Sequence, residues 1–330
     1  MAEEMRIATG QFSEPTPDIL QFAAQMGVSG IVLNSPRLPG AERWEVEDLV
    51  RLRQRVEAHG LKIESIENVP HHFYDLAMLG LEGTDRQIAN YQATVRHIGE
   101  AGIPILGYHW MPNGVWRTEP KVIRGGAVAT AFDASTVTCK APTHGRTFAA
   151  DEMWRNYVRF TDAVLPVAEA SGVRLALHPD DPPVPSLGGV ARLMRSFEGF
   201  KRAMQIGDSP NNGLDFCMGC WSEMGEDVLA AMRHFVAENR LFYVHFRDVQ
   251  GTVPVFNECF LGEGNVDIAA AMRTLYHAGF TGFLIDDHVP KMVDDTPWGH
   301  RGRALATGQM MGLLEAIKAE GPPSASKAAA

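Results

Sequence analysis

The strongest constraint on the fold of this chain is the repeated alternation of short apolar runs with longer amphipathic stretches. Short apolar runs bounded by loops are typical of buried parallel strands, and an apolar period of about 3.6 residues is typical of helices. Several of the amphipathic stretches end in glycine, as helices commonly do before the turn into a strand. The predicted strands are 6–9, 30–33, 62–66, 104–108, 173–177, 213–216, 241–244 and 282–285.

A predicted helix follows each of these strands, at 17–26, 46–59, 85–101, 151–171, 189–206, 222–238, 267–278 and 303–319. Units of this kind, repeated with this spacing, predict an α/β fold, a (β/α)8 TIM barrel that forms a single domain over residues 1–320. The alternative is a doubly wound open sheet. That fold would use fewer strands, and the turn after the first strand lacks the Gly-x-Gly-x-x-Gly fingerprint of a dinucleotide site.

Two segments fall outside the alternating pattern. Residues 110–150 are rich in glycine, proline and threonine and have little periodicity. On a barrel they form a long loop after the fourth strand, and because loops of this length are usually functional or disordered, we expect a lid. Residues 321–330 are predicted to be a flexible tail.

Composition disfavours several classes of partner. The net charge is −10 and no block of lysine or arginine occurs, so a nucleic-acid partner is not expected. No run approaches the roughly 20 apolar residues that a membrane span needs. The N-terminal residues do not resemble a signal peptide, so we expect a cytoplasmic protein with reduced thiols. The sequence does not determine the oligomeric state, and a homo-oligomer is compatible with it.

Residues able to bind a metal stand at the ends of the last four predicted strands. His178, Cys217, His245 and Asp287 each follow an apolar run. Because the C-terminal ends of neighbouring parallel strands meet at one face of a barrel, we expect these side chains to converge. A single buried cysteine is usually core filler, but two imidazoles, a thiolate and a carboxylate at equivalent positions favour a divalent metal site. Such a mixed donor set suits Mn²⁺, Fe²⁺, Co²⁺ or Zn²⁺.

At several motifs the chain resembles the mannonate dehydratases, metal-dependent sugar-acid lyases with a xylose-isomerase-like TIM barrel. The strongest of these motifs is His178-Pro179-Asp180-Asp181-Pro182-Pro183, and the others include Glu67-Asn68-Val69-Pro70-His71-His72, Tyr108-His109-Trp110-Met111-Pro112 and Asp287-His288. The resemblance implies that His178, Cys217, His245 and Asp287 bind the metal, most commonly Mn²⁺, and that His288 takes part in proton transfer. It also implies a small sugar acid as substrate, with D-mannonate converted to 2-keto-3-deoxy-D-gluconate and water. Cys217 matches the family's ligand position, and Cys220 does not.

Arg247 is the candidate for binding the substrate carboxylate. It lies two residues beyond His245, so on an extended chain both side chains face the same way. A guanidinium could hold a carboxylate through two hydrogen bonds. Equally, Arg247 could pair with a neighbouring acid such as Asp248 and only order the loop. Both interpretations remain open from the sequence.

Further substrate-binding candidates follow the third and fourth strands. His72 matches a family histidine and is expected to reach a substrate hydroxyl. Tyr108 and His109 end the fourth strand, where one is expected to line the pocket and the other to pack outside it. Arg117, with Trp110 and Trp116, is expected to belong to the lid. Glu258 is a candidate partner for a ligand histidine, as metal sites often require one.

The chain departs from the family pattern near the last strand. The family usually carries Arg-Pro-Asp-His-Gly there, whereas this chain has Ile285-Asp286-Asp287-His288-Val289. Where family members have a tyrosine in a Pro-Gly-Tyr stretch, this chain has Pro297-Trp298-Gly299-His300, and no tyrosine follows Tyr276. Three hypotheses therefore stand: a sugar-acid dehydratase, a metal-dependent sugar isomerase or epimerase, and a catalytically silent barrel that binds sugar.

Overall fold

The computed structural model describes residues 4–138 and 141–321, and each predicted strand is present in it within a few residues. The strands, in chain order, are β1 (Arg6–Ile7), β2 (Thr9–Phe12), β3 (Ile31–Asn34), β4 (Ile63–Glu67), β5 (Ile105–Tyr108), β6 (Lys121–Val122), β7 (Val128–Ala129), β8 (Ala131–Asp133), β9 (Arg174–Leu177), β10 (Ser186–Leu187), β11 (Val190–Ala191), β12 (Asn212–Cys217), β13 (Leu241–His245), β14 (Asp248–Thr252), β15 (Val255–Cys259) and β16 (Phe283–Ile285).

Helices follow most of the barrel strands. They are α1 (Pro17–Met26), α2 (Val46–Glu57), α3 (Asp75–Leu79), α4 (Thr84–Glu100), α5 (Ala150–Ser171), α6 (Phe197–Ile206), α7 (Met218–Glu223), α8 (Val228–Ala237), α9 (Ile268–His277) and α10 (His300–Glu320). Short 3₁₀ turns occur at His71–Phe73, Arg124–Gly126 and Ala134–Thr136.

The main sheet closes on itself as a parallel barrel. Its strand order is β1-β16-β13-β12-β9-β5-β4-β3-β2. β1 and β2 are two parts of one strand position, since Ile7 pairs with Leu284 on one side while Phe12 pairs with Leu33 on the other. The predicted (β/α)8 barrel is therefore confirmed, and the C-terminal ends of its strands share one face.

A small residue within the barrel makes room for polar groups near its C-terminal end. Gly107 pairs with Glu67 across β4 and β5. A methyl group at Gly107 would lie 2.7 Å from the Tyr243 hydroxyl and 3.0 Å from the Glu67 Cγ atom. Glycine at this position is thus what lets Glu67 and Tyr243 occupy the same level of the barrel.

Two of the predicted helices are shorter than expected. Gly188 and Gly189 have φ angles of 53° and 80° and form the tight turn between β10 and β11, so the helix predicted at 189–206 begins only at Phe197. Gly225, with φ of 77°, interrupts the helix predicted at 222–238, and Asp227 then caps α8 by accepting a hydrogen bond from the Ala230 amide at 2.9 Å. Glycine in the left-handed region explains both breaks.

Part of the long segment 110–150 has regular structure. β8 pairs antiparallel with β15, which also pairs with β14, so the segment joins a small sheet with the loop that follows β13. Its role as a lid stays a prediction. Residues 139 and 140, and the predicted tail beyond Gly321, lie outside the described residues. Within the two described ranges, no helix is both long and apolar enough to cross a membrane.

Arg6 of β1 and Glu64 of β4 form an ion pair whose contribution to the stability of the barrel can be tested by mutation. Arg6 Nη2 lies 2.8 Å from Glu64 Oε2, and the Ser29 hydroxyl donates to Glu64 Oε1 at 2.7 Å. Burial by itself would raise the pKa of Glu64, but the hydrogen bonds from Arg6 and Ser29 hold it below its ordinary value. The carboxylate therefore stabilises the fold above its unfolded-state pKa, and this contribution is lost as the pH falls through the lowered value.

We predict that Glu64→Gln lowers the free energy of unfolding by about 1.5–3 kcal/mol at pH 7, the usual contribution of hydrogen bonds to charged groups. The difference in the free energy of unfolding between Glu64→Gln and the wild type should become smaller at acidic pH, where the wild-type carboxyl is protonated. Urea denaturation at several pH values measures both. Glu57→Gln, which removes a half-exposed surface carboxylate, is the matched control. A loss that does not change with pH would contradict this account.

Candidate metal centre and active site

The four predicted metal ligands lie together at the C-terminal face of the barrel. Cys217 ends β12, His245 ends β13 and pairs with Cys217, while His178 and Asp287 follow β9 and β16. Each side chain is buried, with 9% or less of its residue surface exposed. The apolar strands end at these residues, so the first polar side chains after them face one another across the top of the barrel.

The donor atoms of these residues form overlapping close groups that meet at Cys217. Cys217 Sγ, a His245 ring nitrogen and an Asp287 oxygen all lie within 4.8 Å of one another, and Cys217 is also this close to His178. His178 Nδ1 donates to the Pro179 carbonyl at 2.7 Å, which leaves Nε2 available. His245 Nδ1, 3.3 Å from Asp287 Oδ2, is buried without a hydrogen-bond partner among the described residues. An unpartnered ring nitrogen beside a thiol and a carboxylate fits a divalent metal.

The charges around Cys217 and Asp287 favour the deprotonated forms of both groups. Burial would raise the pKa of the Cys217 thiol, but a hydrogen bond with Cys220, the charge of Arg247 and two histidines lower it well below its ordinary value. Burial would also raise the pKa of Asp287, yet the histidines and Arg247 hold it well below its usual range. A thiolate and a carboxylate are the forms that bind metal.

Two carboxylates that the sequence analysis did not assign lie behind His245. His245 Nε2 is 2.9 Å from Glu67 Oε2 and 3.2 Å from Asp215 Oδ1, and all three side chains are buried. Ligand histidines in metal sites usually donate their second nitrogen to such a partner, which fixes the ring. One signal for Asp215 was present: it lies two residues before Cys217 on one strand, so both side chains point the same way.

His288 stands at the edge of the site, held through one ring nitrogen. Its Nδ1 is 2.9 Å from Glu258 Oε1, while Nε2 is 3.6 Å from Asp287 Oδ1. The side chain is 41% exposed. Burial of the ring would lower its pKa, but the carboxylates of Asp287 and Glu258 raise the pKa of His288 to about 9. Glu258 thus contacts His288, not a ligand histidine as expected from the sequence.

Arg247 is surrounded by acids of the protein itself. Its guanidinium contacts Asp287 Oδ2 at 3.0 Å, Glu223 Oε1 at 3.0 Å and Asp181 Oδ2 at 3.3 Å, and it donates to Cys220 Sγ at 3.1 Å. Asp248, the partner considered from the sequence, instead accepts hydrogen bonds from backbone amides. Arg247 is therefore buried where its positive charge balances the acids around it.

Arg117 joins the same network. It binds Asp181 through both terminal nitrogens, with the Nη2–Oδ2 distance at 2.7 Å, and Nη2 lies 3.2 Å from Glu258 Oε1. Its side chain is 17% exposed. Arg117 thus connects the segment after β5 to Glu258 and, through it, to His288.

A cavity of about 210 Å³ opens beside the ligand cluster, and His178, Asp287 and His288 line one side of it. Polar side chains on the rest of its wall belong to Gln11, Asn34, Ser35, Glu67, Asn68, His71, His109 and Asp181. Among the described lining residues there is no lysine or arginine. The cavity therefore offers amide, hydroxyl, imidazole and carboxylate groups next to the candidate metal ligands, a pattern suited to hydrogen bonding with a polyhydroxy compound.

The remaining predicted substrate-binding residues differ in whether they line the cavity. His109 lines the cavity, and its Nδ1 accepts a hydrogen bond from the Met111 amide at 3.2 Å, so Nε2 carries the proton. Burial keeps the pKa of His109 well below its ordinary value. Tyr108 points away, because side chains alternate along a strand, and its hydroxyl lies 3.0 Å from that of Tyr157 in α5.

His72 lies outside the cavity, contrary to expectation. It is exposed, and its Nε2 lies 3.1 Å from the Ala41 carbonyl. The 3₁₀ turn at His71–Phe73 brings the preceding residue into the wall instead: His71 stacks on His109 with ring centroids 5.9 Å apart. The sequence motif contained both histidines, and only the turn geometry distinguishes them.

Comparison with known proteins places these observations in a family. The family model for D-mannonate dehydratase (UxuA) matches residues 5–144 and 140–322. Mannonate dehydratase 2 of Halalkalibacterium halodurans is 29% identical over 95% of this chain and 99% of its own length. The mannonate dehydratase of Streptococcus suis is 30% identical over 94% of each chain.

Comparison with solved structures indicates the same family. The crystal structure of mannonate dehydratase from Streptococcus suis serotype 2 is similar with a TM-score of 0.89 and 28% identity, over 100% of this chain and 98% of that one. A xylose isomerase domain protein from Planctomyces limnophilus, with a TM-score of 0.65 at 16% identity over 95% of this chain and 99% of that one, shares the fold alone. The chain therefore belongs to the D-mannonate dehydratase family.

Proposed function

We propose that this protein is a metal-dependent hydro-lyase that converts D-mannonate to 2-keto-3-deoxy-D-gluconate and water. The observation that carries the proposal is the convergence of His178, Cys217, His245 and Asp287 at one face of the barrel, next to His288 and a polar cavity. Family membership supports the reaction class. A cytoplasmic location and a homo-oligomeric state remain predictions.

The ligand set proposed for the metal is His178 Nε2, Cys217 Sγ, His245 Nδ1 and an Asp287 oxygen. When bound there, a divalent ion would supply Lewis acidity to the carboxylate end of the substrate. The family likeness favours Mn²⁺, and Fe²⁺, Co²⁺ and Zn²⁺ are alternatives for this donor set. Glu67 and Asp215 hold His245 from behind, so that Nδ1 keeps its direction.

His288 is the residue proposed to move a proton. Dehydration of an aldonate removes the proton on the carbon next to the carboxylate and expels the hydroxyl on the following carbon. Such steps need a group within hydrogen-bond reach of the reacting atoms. Because Glu258 holds His288 Nδ1, Nε2 is the nitrogen left for exchange with substrate. Glu258, itself contacted by Arg117, acts as the positioning residue.

Arg247 is proposed to orient Asp287 rather than to bind substrate. All of its close contacts are with buried groups of the protein, and the cavity wall holds no lysine or arginine among its described residues. The negative charge of a sugar acid must then be balanced at the metal-binding cluster. His71, His109 and Asn34 are proposed to hydrogen-bond the hydroxyl groups of the chain.

The same absence of lysine and arginine along the described wall favours one alternative, a metal-dependent isomerase or epimerase acting on an uncharged sugar. Such an enzyme would use the same ligand cluster and the same polar cavity. It would have no need to balance a carboxylate. The two functions differ in whether the substrate carries an acid group, and a substrate panel separates them.

We predict that protein reconstituted with Mn²⁺ dehydrates D-mannonate, and that a chelator abolishes the activity until metal is restored. Chromatographic detection of 2-keto-3-deoxy products, across a panel of hexonates, pentonates and neutral aldoses and ketoses, measures it. Isomerised neutral sugar without any deoxy product would support the alternative function. If metal-loaded protein turns over no member of the panel, the result would support the third hypothesis, a catalytically silent barrel that binds sugar.

We further predict that His288→Asn lowers kcat by about 10²–10⁴-fold, the range expected when a proton-transferring group is removed. Metal content should stay unchanged, because the ligand cluster does not include His288. His277→Asn, on the exposed end of α9, is the matched control. Equal kcat values for the two variants would contradict the role given to His288, and a parallel loss of metal would make that role structural.

A further inference from the structure

Gln11 lies near the end of the first barrel strand, and two residues that depart from the family pattern contact it or the residues just before it, Trp298 and Asp286. It lies in β2 and lines the cavity. Its side-chain Nε2 is 3.5 Å from His245 Nε2, and its Oε1 accepts a hydrogen bond from Asn34 Nδ2 at 2.5 Å. Gln11 therefore lies between the candidate ligand His245 and the Asn34 side chain of the cavity wall.

Trp298 holds the backbone of Gln11. The indole Nε1 donates to the Gln11 carbonyl at 2.9 Å, and the ring packs edge-on against Phe12 with centroids 5.2 Å apart. Arg303 of α10 lies over the other side of the indole, 4.6 Å from its centre, and its Nε donates to the Trp298 carbonyl at 2.9 Å. Trp298 stands in the stretch where the family has its tyrosine.

Asp286 and Arg303 hold the residues just before Gln11. Arg303 Nη1 donates to the Gly10 carbonyl and lies 3.0 Å from Asp286 Oδ2. Asp286 Oδ1 accepts from the Thr9 hydroxyl at 3.2 Å and faces the Gly10 amide at 3.5 Å. Both charged residues are buried, at 1% and 5% exposure. A buried ion pair is weak evidence of added stability, so its contacts with Thr9 and Gly10, just before Gln11, point to positioning.

The amide of Gln11 has hydrogen-bonding capacity to spare. A glutamine side chain has two donor hydrogens and two acceptor lone pairs. Asn34 uses one lone pair, and His245 Nε2, which donates to Glu67, does not accept from the Gln11 nitrogen 3.5 Å away. At least one donor and one acceptor position are left for the cavity. A neutral group that both donates and accepts matches a hydroxyl group.

We propose that Gln11 is a specificity-determining residue, which hydrogen-bonds the substrate hydroxyl nearest the metal-bound end and so selects among epimers of the sugar acid. This rests on the proposed function for the substrate class. Because Gln11 shares the cavity wall with the candidate ligands His178 and Asp287, we place the hydroxyl within its reach on the carbons next to the carboxylate. Hexonates that are epimeric at those carbons differ in the direction of that hydroxyl. Asp286, Trp298 and Arg303 are positioning residues for Gln11.

The test compares Gln11→Ala with wild type on hexonates that are epimeric at the second and third carbons. We expect kcat/KM for the preferred epimer to fall about tenfold, as for one lost hydrogen bond to a substrate hydroxyl, while poorer epimers change little. The ratio between epimers should fall correspondingly. Metal content and melting temperature should remain those of wild type. Gln54→Ala, the same change on the exposed face of α2, is the matched control.

Trp298→Phe provides a second variant, since it removes the indole donor and keeps an aromatic ring. It should reduce the ratio between epimers in the same direction, by less than Gln11→Ala. An unchanged ratio in Gln11→Ala would overturn the proposal, and a changed ratio in Trp298→Phe alone would move the role to Trp298.

Calorimetric binding of the same epimers to metal-loaded protein separates this proposal from the proposed function. If wild type binds hexonates without turnover, dehydration is wrong, and the ratio of dissociation constants in Gln11→Ala still tests Gln11. Loss of discrimination between bound epimers would support the proposal, and retained discrimination would overturn it. If wild type binds no hexonate at all, both proposals fail.

Discussion

The site depends on the charge balance around Arg247. Its guanidinium contacts the buried carboxylates of Asp287, Glu223 and Asp181, and Arg117 adds a second positive charge at Asp181 and Glu258. Buried carboxylates are tolerated only when paired in this way, and removal of one partner typically costs about 3–5 kcal/mol. This network sets the direction of Asp287 toward His245. Through Glu258 it also fixes the ring of His288.

Much of the fold and the ligand cluster could be predicted from the sequence because both follow from where apolar runs end. A strand with both faces buried is mostly apolar, so the end of an apolar run indicates where the strand ends, and parallel closure brings those ends together. This pattern alone was enough to predict that His178, Cys217, His245 and Asp287 lie together. The positions of residues beyond the strand ends could not be predicted in this way. Whether His71 or His72 enters the cavity depends on a 3₁₀ turn, and the acids that contact Arg247 come from separate segments of the chain.

Two departures from the family pattern near the last strand, Asp286 and Trp298, are connected through Arg303. Asp286, Trp298 and Arg303 contact one another or the backbone of Thr9 to Gln11, which places the neutral amide of Gln11 beside the metal-binding cluster. Trp298 and Arg303, which do not line the cavity, thereby order this part of its wall.

The proposed chemistry depends on a single divalent metal bound by Cys217, two histidines and Asp287. X-ray absorption spectroscopy of metal-loaded protein measures the ligand atoms directly. We expect one sulfur atom in the ligand shell of the wild type, retained in Cys220→Ser and lost in Cys217→Ser. A shell of nitrogen and oxygen alone in the wild type, or a sulfur ligand that persists in Cys217→Ser, would contradict the account.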